Sequence, residues 1–241
     1  MIPKIIHYCW FGKNEMPNDV VDIIEHWKQK LQGYEFMLWN EENFDFNTLP
    51  FSKEAYEAKK FAFVADVCRL HALYNYGGIY LDTDVEIIKP FDDLLHLDAF
   101  IGFEDEKKIG TSVIASVPKG DFIKEFLDIY TNRNFFLSNK RLNMVSNVDL
   151  ITAYLDSKTT IINTEQLDYE NKLIIFSRDY FSPKNFDTKE IKLTKNTYSI
   201  HHFSQSWFGF KKKSIQFLKR ISWTIIGYKN TKKIINFIKN E

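Results

Sequence analysis

The chain has 241 residues and a mass of 28.6 kDa, which is enough for one domain with a substantial core. Hydrophobic residues make up 44% and aromatic residues 16%, and this composition excludes a disordered chain. Lys and Arg together number 32, as do Asp and Glu, so the net charge gives no argument for nucleic-acid binding and we expect no nucleic-acid partner.

The charge is unevenly distributed along the chain. Residues 211–241 hold nine basic side chains and one acidic one, whereas residues 1–210 hold 23 basic and 31 acidic side chains. Only Cys9 and Cys68 are present, there is no Asn-x-Ser/Thr sequon, and the N-terminal residues do not have the pattern of a signal peptide. No apolar run approaches the roughly 18 residues of a membrane span. We therefore expect a cytoplasmic protein, either soluble or bound to a surface.

The N-terminal residues predict a β-α-β unit. Residues 4–10 and 34–39 are short apolar runs typical of buried strands. Between them, residues 16–31 place Val20, Ile24, Trp27 and Leu31 on one face of a helix. A strand, a helix and a second strand at this spacing predict a parallel strand pair.

The rest of the chain continues to alternate between helical and strand patterns. A helix is predicted from about residue 52 to 76, ending at Gly77-Gly78, and a strand follows at 79–82. The other predicted elements are strands at 98–104, 111–116, 160–164, 173–176 and 198–203 and helices near 121–130 and 147–155. This alternation predicts an α/β domain over residues 1–208, followed by a separate tail over 209–241.

Two carboxylates one residue apart, Asp82 and Asp84, come directly after the apolar strand at 79–82. Whether the strand continues or turns there, their oxygens should lie within roughly 4–7 Å of each other. At that spacing both stay ionised only if a cation or hydrogen-bond donors offset the repulsion. Carboxylate oxygens suit Mg²⁺ or Mn²⁺, which keep open positions for substrate phosphates. The alternative is an acidic turn without function.

Asp66 and Arg69 lie three residues apart on the helix that leads into this strand, and they share one face of it. The simplest interpretation is a surface ion pair of little energetic value. However, the helix is apolar nearly all round, so the pair is predicted to be half buried and to need partners. The chain has neither a Gly-x-Gly-x-x-Gly nor a Gly-Lys-Ser/Thr phosphate loop, so another feature must hold any phosphate.

Together, "FAFVADVCRLHALYNYGGIYLDTD", "IPKIIHYCWFG", "FEDE" and "HHFSQSW" resemble glycosyltransferase family 32, the glycosyltransferases with a DXD sugar-binding motif. The family includes bacterial capsule and lipopolysaccharide sugar transferases, yeast mannosyltransferases and, more distantly, clostridial toxin glucosyltransferase domains. The resemblance covers most of residues 2–208. Around residues 147–149, a Gly-Pro pair that is common in the family is missing.

The resemblance implies a GT-A type, Rossmann-like fold that transfers a hexose from a nucleotide-diphosphate sugar, expected to be UDP-linked, with retention of anomeric configuration. The acceptor would be a glycan or a lipid-linked oligosaccharide in surface polysaccharide synthesis, and the cofactor would be Mn²⁺ or Mg²⁺. The resemblance also implies roles for individual residues. Trp10 would stack on the nucleotide base, Asp66 and Arg69 would bind the sugar, and Tyr80 and Asp82 would lie near the ribose and the metal. Asp84 and His201 or His202 would be direct metal ligands, and Ser206 and Trp207 would belong to a closing loop.

The tail over residues 209–241 places isoleucine and leucine at helical spacing with lysines between them, broken near Gly227. This pattern predicts basic amphipathic helices, either packed on the domain with a solvated lysine face or attached to an anionic membrane surface. In the second case the protein would be peripheral on the inner face of the plasma membrane, close to a lipid-linked acceptor.

Two other functions also fit parts of the sequence. In a phosphatase of the haloacid dehalogenase type, Asp82 would be the nucleophile and Asp84 the general acid. That family normally carries the motif at the start of the domain and adds a later Gly-Asp metal motif, and neither feature is found here. A non-catalytic sugar-nucleotide-binding module would keep the fold and lose the metal site.

Overall fold

The computed structural model describes residues 1–163 and 166–204, in which strands and helices alternate as expected for an α/β protein. The strands are β1 (Ile5–Cys9), β2 (Glu35–Trp39), β3 (Gly78–Leu81), β4 (Val85–Ile87), β5 (Ala99–Phe103), β6 (Ile109–Ser116), β7 (Gln166–Tyr169), β8 (Leu173–Phe176) and β9 (Ser199–His201). The helices are α1 (Asn18–Lys30), α2 (Pro50–Glu57), α3 (Phe61–Tyr76), α4 (Asp121–Thr131), α5 (Asn147–Lys158) and α6 (Arg178–Phe181). None of the helices in this part of the chain is long and apolar enough to cross a membrane.

The central sheet has seven strands in the order β2-β1-β3-β6-β5-β8-β7. Its first three strands are parallel, which confirms the predicted β-α-β opening and the α/β class. Strand β6 is antiparallel to both of its neighbours, β3 and β5, so the sheet as a whole is mixed. Strands β4 and β9 form a separate antiparallel pair outside this sheet.

Helix α1 packs its apolar face on the sheet as the sequence predicts. Val20, Ile24 and Trp27 are buried, and the adjoining Leu31 is buried with them. The indole Nε1–H of Trp27 donates to the carbonyl of Val85 at 2.6 Å. Since Val85 begins β4, this bond fixes the chain immediately after Asp84.

Two predicted elements differ from the structure. The single helix expected from about residue 52 to 76 is divided into α2 and α3, because Lys59 adopts a left-handed backbone conformation with φ of 56°. Residues 160–163 of the strand predicted at 160–164 are not extended in a sheet, and the strand that pairs with β8 is β7. No glycine or proline lies at residues 58–60 to indicate the break between the two helices. None lies at residues 160–163 to indicate that the strand begins later in the chain.

Gly77 ends α3 and directs the chain into β3. Its φ of 64° lies in the left-handed region, and a Cβ at this position would come within 2.6 Å of the Pro118 ring. Glycine is therefore required both by conformation and by space. Gly77-Gly78 therefore ends helix α3, as predicted, and leads into β3, the strand that precedes Asp82 and Asp84.

His7 in β1 is fully buried, and each of its ring nitrogens has a hydrogen-bond partner. Its Nε2 lies 2.7 Å from the Gly77 carbonyl, and its Nδ1 accepts from the indole Nε1–H of Trp39 at 3.1 Å. Burial lowers the pKa of His7 from its ordinary 6.5 to about 4. Between these two pH values the unfolded chain binds a proton that the folded protein does not.

We expect the free energy of unfolding to fall as the pH decreases from about 6.5 towards about 4, by roughly 2 kcal/mol at about pH 5 from His7 alone. Urea unfolding of the wild type and of His7→Gln at neutral pH and at about pH 5 isolates this contribution, because other groups titrate equally in both proteins. Equal losses of stability in the two proteins would contradict the assignment.

Candidate active site

Asp82 and Asp84 lie where β3 leaves the central sheet. The backbone N–H of Asp82 donates to the carbonyl of Ser112 in β6 at 2.9 Å, and that of Val85 returns to the carbonyl of Asp82 at 3.0 Å. The chain therefore turns between the two acids before β4 begins. This turn gathers both side chains at the edge of the sheet where β1 and β3 also end, the position at which open α/β sheets bind ligands.

The pairing of β4 with β9 brings a distant histidine to this turn. Val85 lies opposite His201 in the ladder, and Nε2 of His201 lies 3.3 Å from Oδ1 of Asp84. Asp82, Asp84 and His201 each offer a ligand atom, and these atoms all lie within 4.8 Å of one another. We call these three residues the acidic-histidine cluster.

The chemistry of the acidic-histidine cluster fits a divalent cation. It combines two carboxylates with an imidazole, a donor set that Mn²⁺ accepts and that also suits Mg²⁺ through its oxygens. Within the described part of the chain, the buried Nδ1 of His201 has no hydrogen-bond partner. Burial lowers the pKa of His201, but the surrounding acids Asp84, Asp82 and Glu104 together outweigh it and raise that pKa. A cation entering here therefore competes with a proton.

The neighbouring His202 faces different partners. Its Nε2 lies 2.7 Å from Oε2 of Glu86, and its Nδ1 lies 3.1 Å from Nζ of Lys184. Adjacent residues of a strand point to opposite sides, which explains why only one of the two histidines joins the cluster. Of the two histidines that the sequence offers as metal ligands, His201 lies beside Asp82 and Asp84 and His202 lies beside Glu86, so the geometry favours His201 as the ligand.

This difference predicts unequal effects on cation binding. We expect Mn²⁺ to raise the thermal midpoint of the wild type and of His202→Ala, because ligands that bind only the folded state stabilise it. In His201→Ala the apparent Mn²⁺ affinity read from that shift should fall at least about tenfold. A thermal melt across a Mn²⁺ series measures both variants, and an equal response of the two would refute the assignment.

Arg69 links Asp66, on the same helix α3, to Asp82 in the turn that follows β3. Its guanidinium contacts Asp66 Oδ1 at 3.0 Å, Asp82 Oδ1 at 3.2 Å and the carbonyl of Thr111 at 2.6 Å. The ring of Tyr80 lies 4.4 Å from the guanidinium carbon, and its hydroxyl donates to Asp82 Oδ1 at 3.0 Å. The predicted Asp66–Arg69 pair is buried. The guanidinium of Arg69 also contacts Asp82, the first acid of the DXD motif.

Electrostatics explain how this buried group stays charged. Burial alone lowers the pKa of Arg69, but the carboxylates of Asp82 and Asp66 outweigh it and raise that pKa above its ordinary value. Burial raises the pKa of Asp66 to about 6, against the opposing positive charge of Arg69. Arg69 is therefore the positive centre of an acidic site.

Trp10 follows the last residue of β1 and is half exposed. Its Nε1–H donates to the carbonyl of Asn14 at 2.7 Å, which orients the indole. Because β1 and β3 are parallel neighbours, Trp10 and Asp82 follow strands that end at the same edge of the sheet. The predicted closing residues, Ser206 and Trp207, lie outside the described residues, as does the tail over 209–241.

Sequence reasoning missed two residues beside the site. Glu104 follows β5, and burial raises its pKa while nearby His201 lowers it. A Cβ on Gly110 would come within 2.9 Å of the Glu104 side chain, so this glycine leaves room for it. Asn147 begins α5, is buried, and its backbone and side-chain N–H groups both lower the pKa of Asp66. The "FEDE" motif could have indicated Glu104, and the missing Gly-Pro pair at residues 147–149 drew attention to the region of Asn147 without giving that residue a role.

Residues 17–101 match the family described as "Glycosyltransferase sugar-binding region containing DXD motif". The resemblance to the DXD-motif glycosyltransferases is confirmed. The matched residues contain Asp66, Arg69, Tyr80, Asp82 and Asp84. Trp10 precedes the matched range, and Glu104, Asn147 and His201 follow it.

The chain is similar to two curated enzymes of Schizosaccharomyces pombe. It is 35% identical over 117 residues to inositol phosphoceramide mannosyltransferase 3, covering 47% of this chain and 33% of that protein. It is 25% identical over 220 residues to inositol phosphoceramide mannosyltransferase 2, covering 86% of this chain and 58% of that protein. The chain thus spans between a third and three fifths of these relatives' lengths.

Among solved structures, the chain is similar to a glycosyltransferase involved in the glycosylation of the major capsid of PBCV-1. The sequence identity is 11%, the match covers 88% of this chain and 98% of that one, and the TM-score is 0.49.

Proposed function

We propose that the chain is a divalent-metal-dependent glycosyltransferase that moves a hexose from a nucleotide-diphosphate sugar to a glycan or lipid-linked acceptor. The observation that carries this proposal is the acidic-histidine cluster, whose three ligand atoms lie within 4.8 Å of one another beside the buried Arg69. Residues suited to hold a metal ion, placed at the end of a buried strand within a DXD region, support binding of a sugar diphosphate at this site.

Asp82, Asp84 and His201 would hold the ion, with Mn²⁺ preferred over Mg²⁺ because the imidazole is a ligand as well as the carboxylates. When bound, a divalent ion supplies positive charge against the negative charge that develops on the leaving diphosphate. The protein residues orient this site: Arg69 and the Tyr80 hydroxyl both bind Oδ1 of Asp82 and fix the direction of that carboxylate.

The remaining residues position the donor. Asp66 would accept hydrogen bonds from hydroxyls of the donor sugar, and Trp10 would stack on the nucleotide base at the end of β1. Arg69 has its guanidinium occupied by protein oxygens, so we assign it to holding Asp66 and Asp82 in place more than to direct contact with the sugar. No general base is assigned, which is consistent with attack by the acceptor on the face that the diphosphate leaves and with retention of configuration.

The relatives suggest which substrates to test first. Their names describe mannosyltransferases that act on inositol phosphoceramide, so mannose is the first hexose and a glycosylated or phosphorylated lipid the first acceptor class to examine. The UDP-linked hexoses expected from the sequence are the second set. An acceptor in bacterial capsule or lipopolysaccharide synthesis, used at the cytoplasmic face of a membrane, belongs to the same proposal.

The experiment is a screen of UDP-linked and GDP-linked hexoses for release of the nucleoside diphosphate, with Mn²⁺, with Mg²⁺ and with a chelator. Hydrolysis of the donor needs no acceptor, so the assay tests the site directly. We expect one donor to be turned over with Mn²⁺ and none with the chelator. Failure of the whole panel under all conditions would overturn the proposal.

The same assay with a phosphomonoester tests the phosphatase alternative. In that mechanism Asp82 must attack phosphorus, yet its Oδ1 is held by Arg69 and by the Tyr80 hydroxyl. These contacts suit a fixed ligand better than a nucleophile, so we expect no phosphate release. A non-catalytic module is excluded by any Mn²⁺-dependent turnover of a sugar nucleotide.

A further inference from the structure

A hairpin over residues 132–146 connects α4 to α5. Phe136 and Leu142 form an antiparallel bridge, and the N–H of Leu137 donates to the carbonyl of Arg141 at 2.8 Å. Lys140 at the turn has a φ of 61°. We call residues 132–146 the basic hairpin.

The base of the basic hairpin is fixed to the domain. Phe135 is fully buried, with its ring edge-on to that of Phe51 at a centroid distance of 5.4 Å. The carboxylate of Glu54 in α2 accepts from the backbone N–H groups of Phe135 and Phe136 at 2.7 and 2.8 Å. The base of the hairpin is therefore anchored to α2.

Those outer side chains are unusually apolar for a surface. Among the described residues eleven large hydrophobic side chains are exposed, and four of them lie in this one hairpin. They are Phe136 (38% exposed), Leu137 (43%), Met144 (48%) and Val145 (42%). Single exposed hydrophobic residues are ordinary, whereas several within ten residues mark a contact surface.

The charge of the basic hairpin indicates what that surface contacts. Residues 132–146 contain Arg133, Lys140 and Arg141 and no Asp or Glu, although residues 1–210 as a whole carry more acidic than basic side chains. Apolar side chains next to lysine and arginine match a lipid surface, where anionic headgroups cover an apolar interior.

The hairpin also ends at the candidate active site. It runs directly into Asn147, which is 2% exposed and whose Oδ1 accepts from the Tyr130 hydroxyl at 3.0 Å. Asn147 lies close enough to Asp66 to act on the pKa of that carboxyl. The hairpin is thus continuous in the chain with a residue that adjoins Asp66, which is proposed to contact the donor sugar.

We propose that the basic hairpin inserts its apolar side chains into the surface of an anionic lipid bilayer and holds the site next to a lipid acceptor. This inference rests on the proposed function for the nature of the acceptor. It concerns a surface distinct from the tail over residues 209–241, and it assigns the lipid contact to a segment that is continuous with the site.

The test is flotation of the full chain with vesicles of phosphatidylcholine, with and without phosphatidylglycerol. We compare the wild type with Phe136→Ser/Leu137→Ser and with the matched control Val21→Ser/Leu193→Ser, which removes two apolar side chains exposed elsewhere in the fold. The partition of the hairpin variant onto anionic vesicles should fall about tenfold or more, whereas that of the control should stay within about twofold. Lys140→Gln/Arg141→Gln should also weaken binding, most strongly at low salt.

Two further measurements keep the outcomes distinct. Acceptor-independent hydrolysis of the donor should be equal in all four proteins. If no donor is hydrolysed, the proposed function fails, and flotation still decides whether the hairpin binds lipid. Equal flotation of the wild type and the hairpin variant, or no flotation of the wild type, overturns the inference. It is also overturned if light scattering shows that the hairpin substitutions dissociate a dimer and leave flotation unchanged, because the surface then binds a second copy of the chain.

Discussion

Replacing Asp84 by Ala should reduce Mn²⁺-dependent hydrolysis of the sugar nucleotide by at least about a thousandfold. Asp84 is buried, lies 3.3 Å from His201 Nε2, and belongs to the acidic-histidine cluster with Asp82. A metal ion that faces a developing anion is worth several kcal/mol, and each 1.36 kcal/mol changes the rate tenfold. Because a ligand is missing from the site, an excess of Mn²⁺ should not restore the rate.

The matched control for this variant is Glu86→Gln. Glu86 is the next acid along the chain, but its carboxylate contacts His202 and lies outside the cluster. We expect the control to retain activity within about threefold and to show the Mn²⁺ dependence of the wild type. Activity of Asp84→Ala at high Mn²⁺ that approaches that of the control would mean that the cluster does not hold the ion.

Replacing Arg69 by Met should destabilise the fold by about 3–5 kcal/mol and abolish donor hydrolysis. The guanidinium lies between Asp66 and Asp82 at 3.0 and 3.2 Å, and it is only 5% exposed. Removal of one partner from a buried ion pair leaves uncompensated charge, which costs far more than the pair contributes when it is intact. The free energy of unfolding from urea titration measures the first effect.

Lys124→Met is the control for stability, because its ion pair with Asp128 at 2.7 Å is about half exposed. Exposed helix pairs of this kind contribute roughly 0.3–0.5 kcal/mol. Arg69→Lys keeps the charge but lacks the planar fork that reaches three acceptors, so its stability should lie between those of the wild type and Arg69→Met. A loss for Arg69→Met no larger than that for Lys124→Met would contradict the buried bridge.

Local signals in the sequence were sufficient for much of the fold. The apolar run of β1, the amphipathic face of α1 with Val20 and Trp27, and the helix end at Gly77 are each decided by residues close together in the chain. The break between α2 and α3 was not predicted because Lys59 adopts a positive φ without being glycine or asparagine. Tertiary packing at this point overrides local propensity.

The site was predictable in its residue types and less so in its connections. The DXD pair and the Asp66–Arg69 pair follow from spacing, and the family resemblance added His201 or His202 without choosing between them. That Arg69 binds Asp82 depends on how α3 packs against the turn after β3, and that Val85 lies opposite His201 depends on a strand register that joins residues more than a hundred apart in the chain. Such pairings are fixed by the whole fold, and for the same reason the departure from the family pattern at residues 147–149 did not by itself place Asn147 beside Asp66.

The central claim is that Asp82, Asp84 and His201 hold one divalent cation for a sugar diphosphate. Titration of the full chain with Mn²⁺, followed by electron paramagnetic resonance of the free ion, tests this claim without any knowledge of the substrate. The wild type should remove about one equivalent of Mn²⁺ from the free signal, more tightly when a nucleoside diphosphate is present, whereas Asp84→Asn should remove almost none. Equal Mn²⁺ binding by the wild type and Asp84→Asn would contradict the assignment of the site.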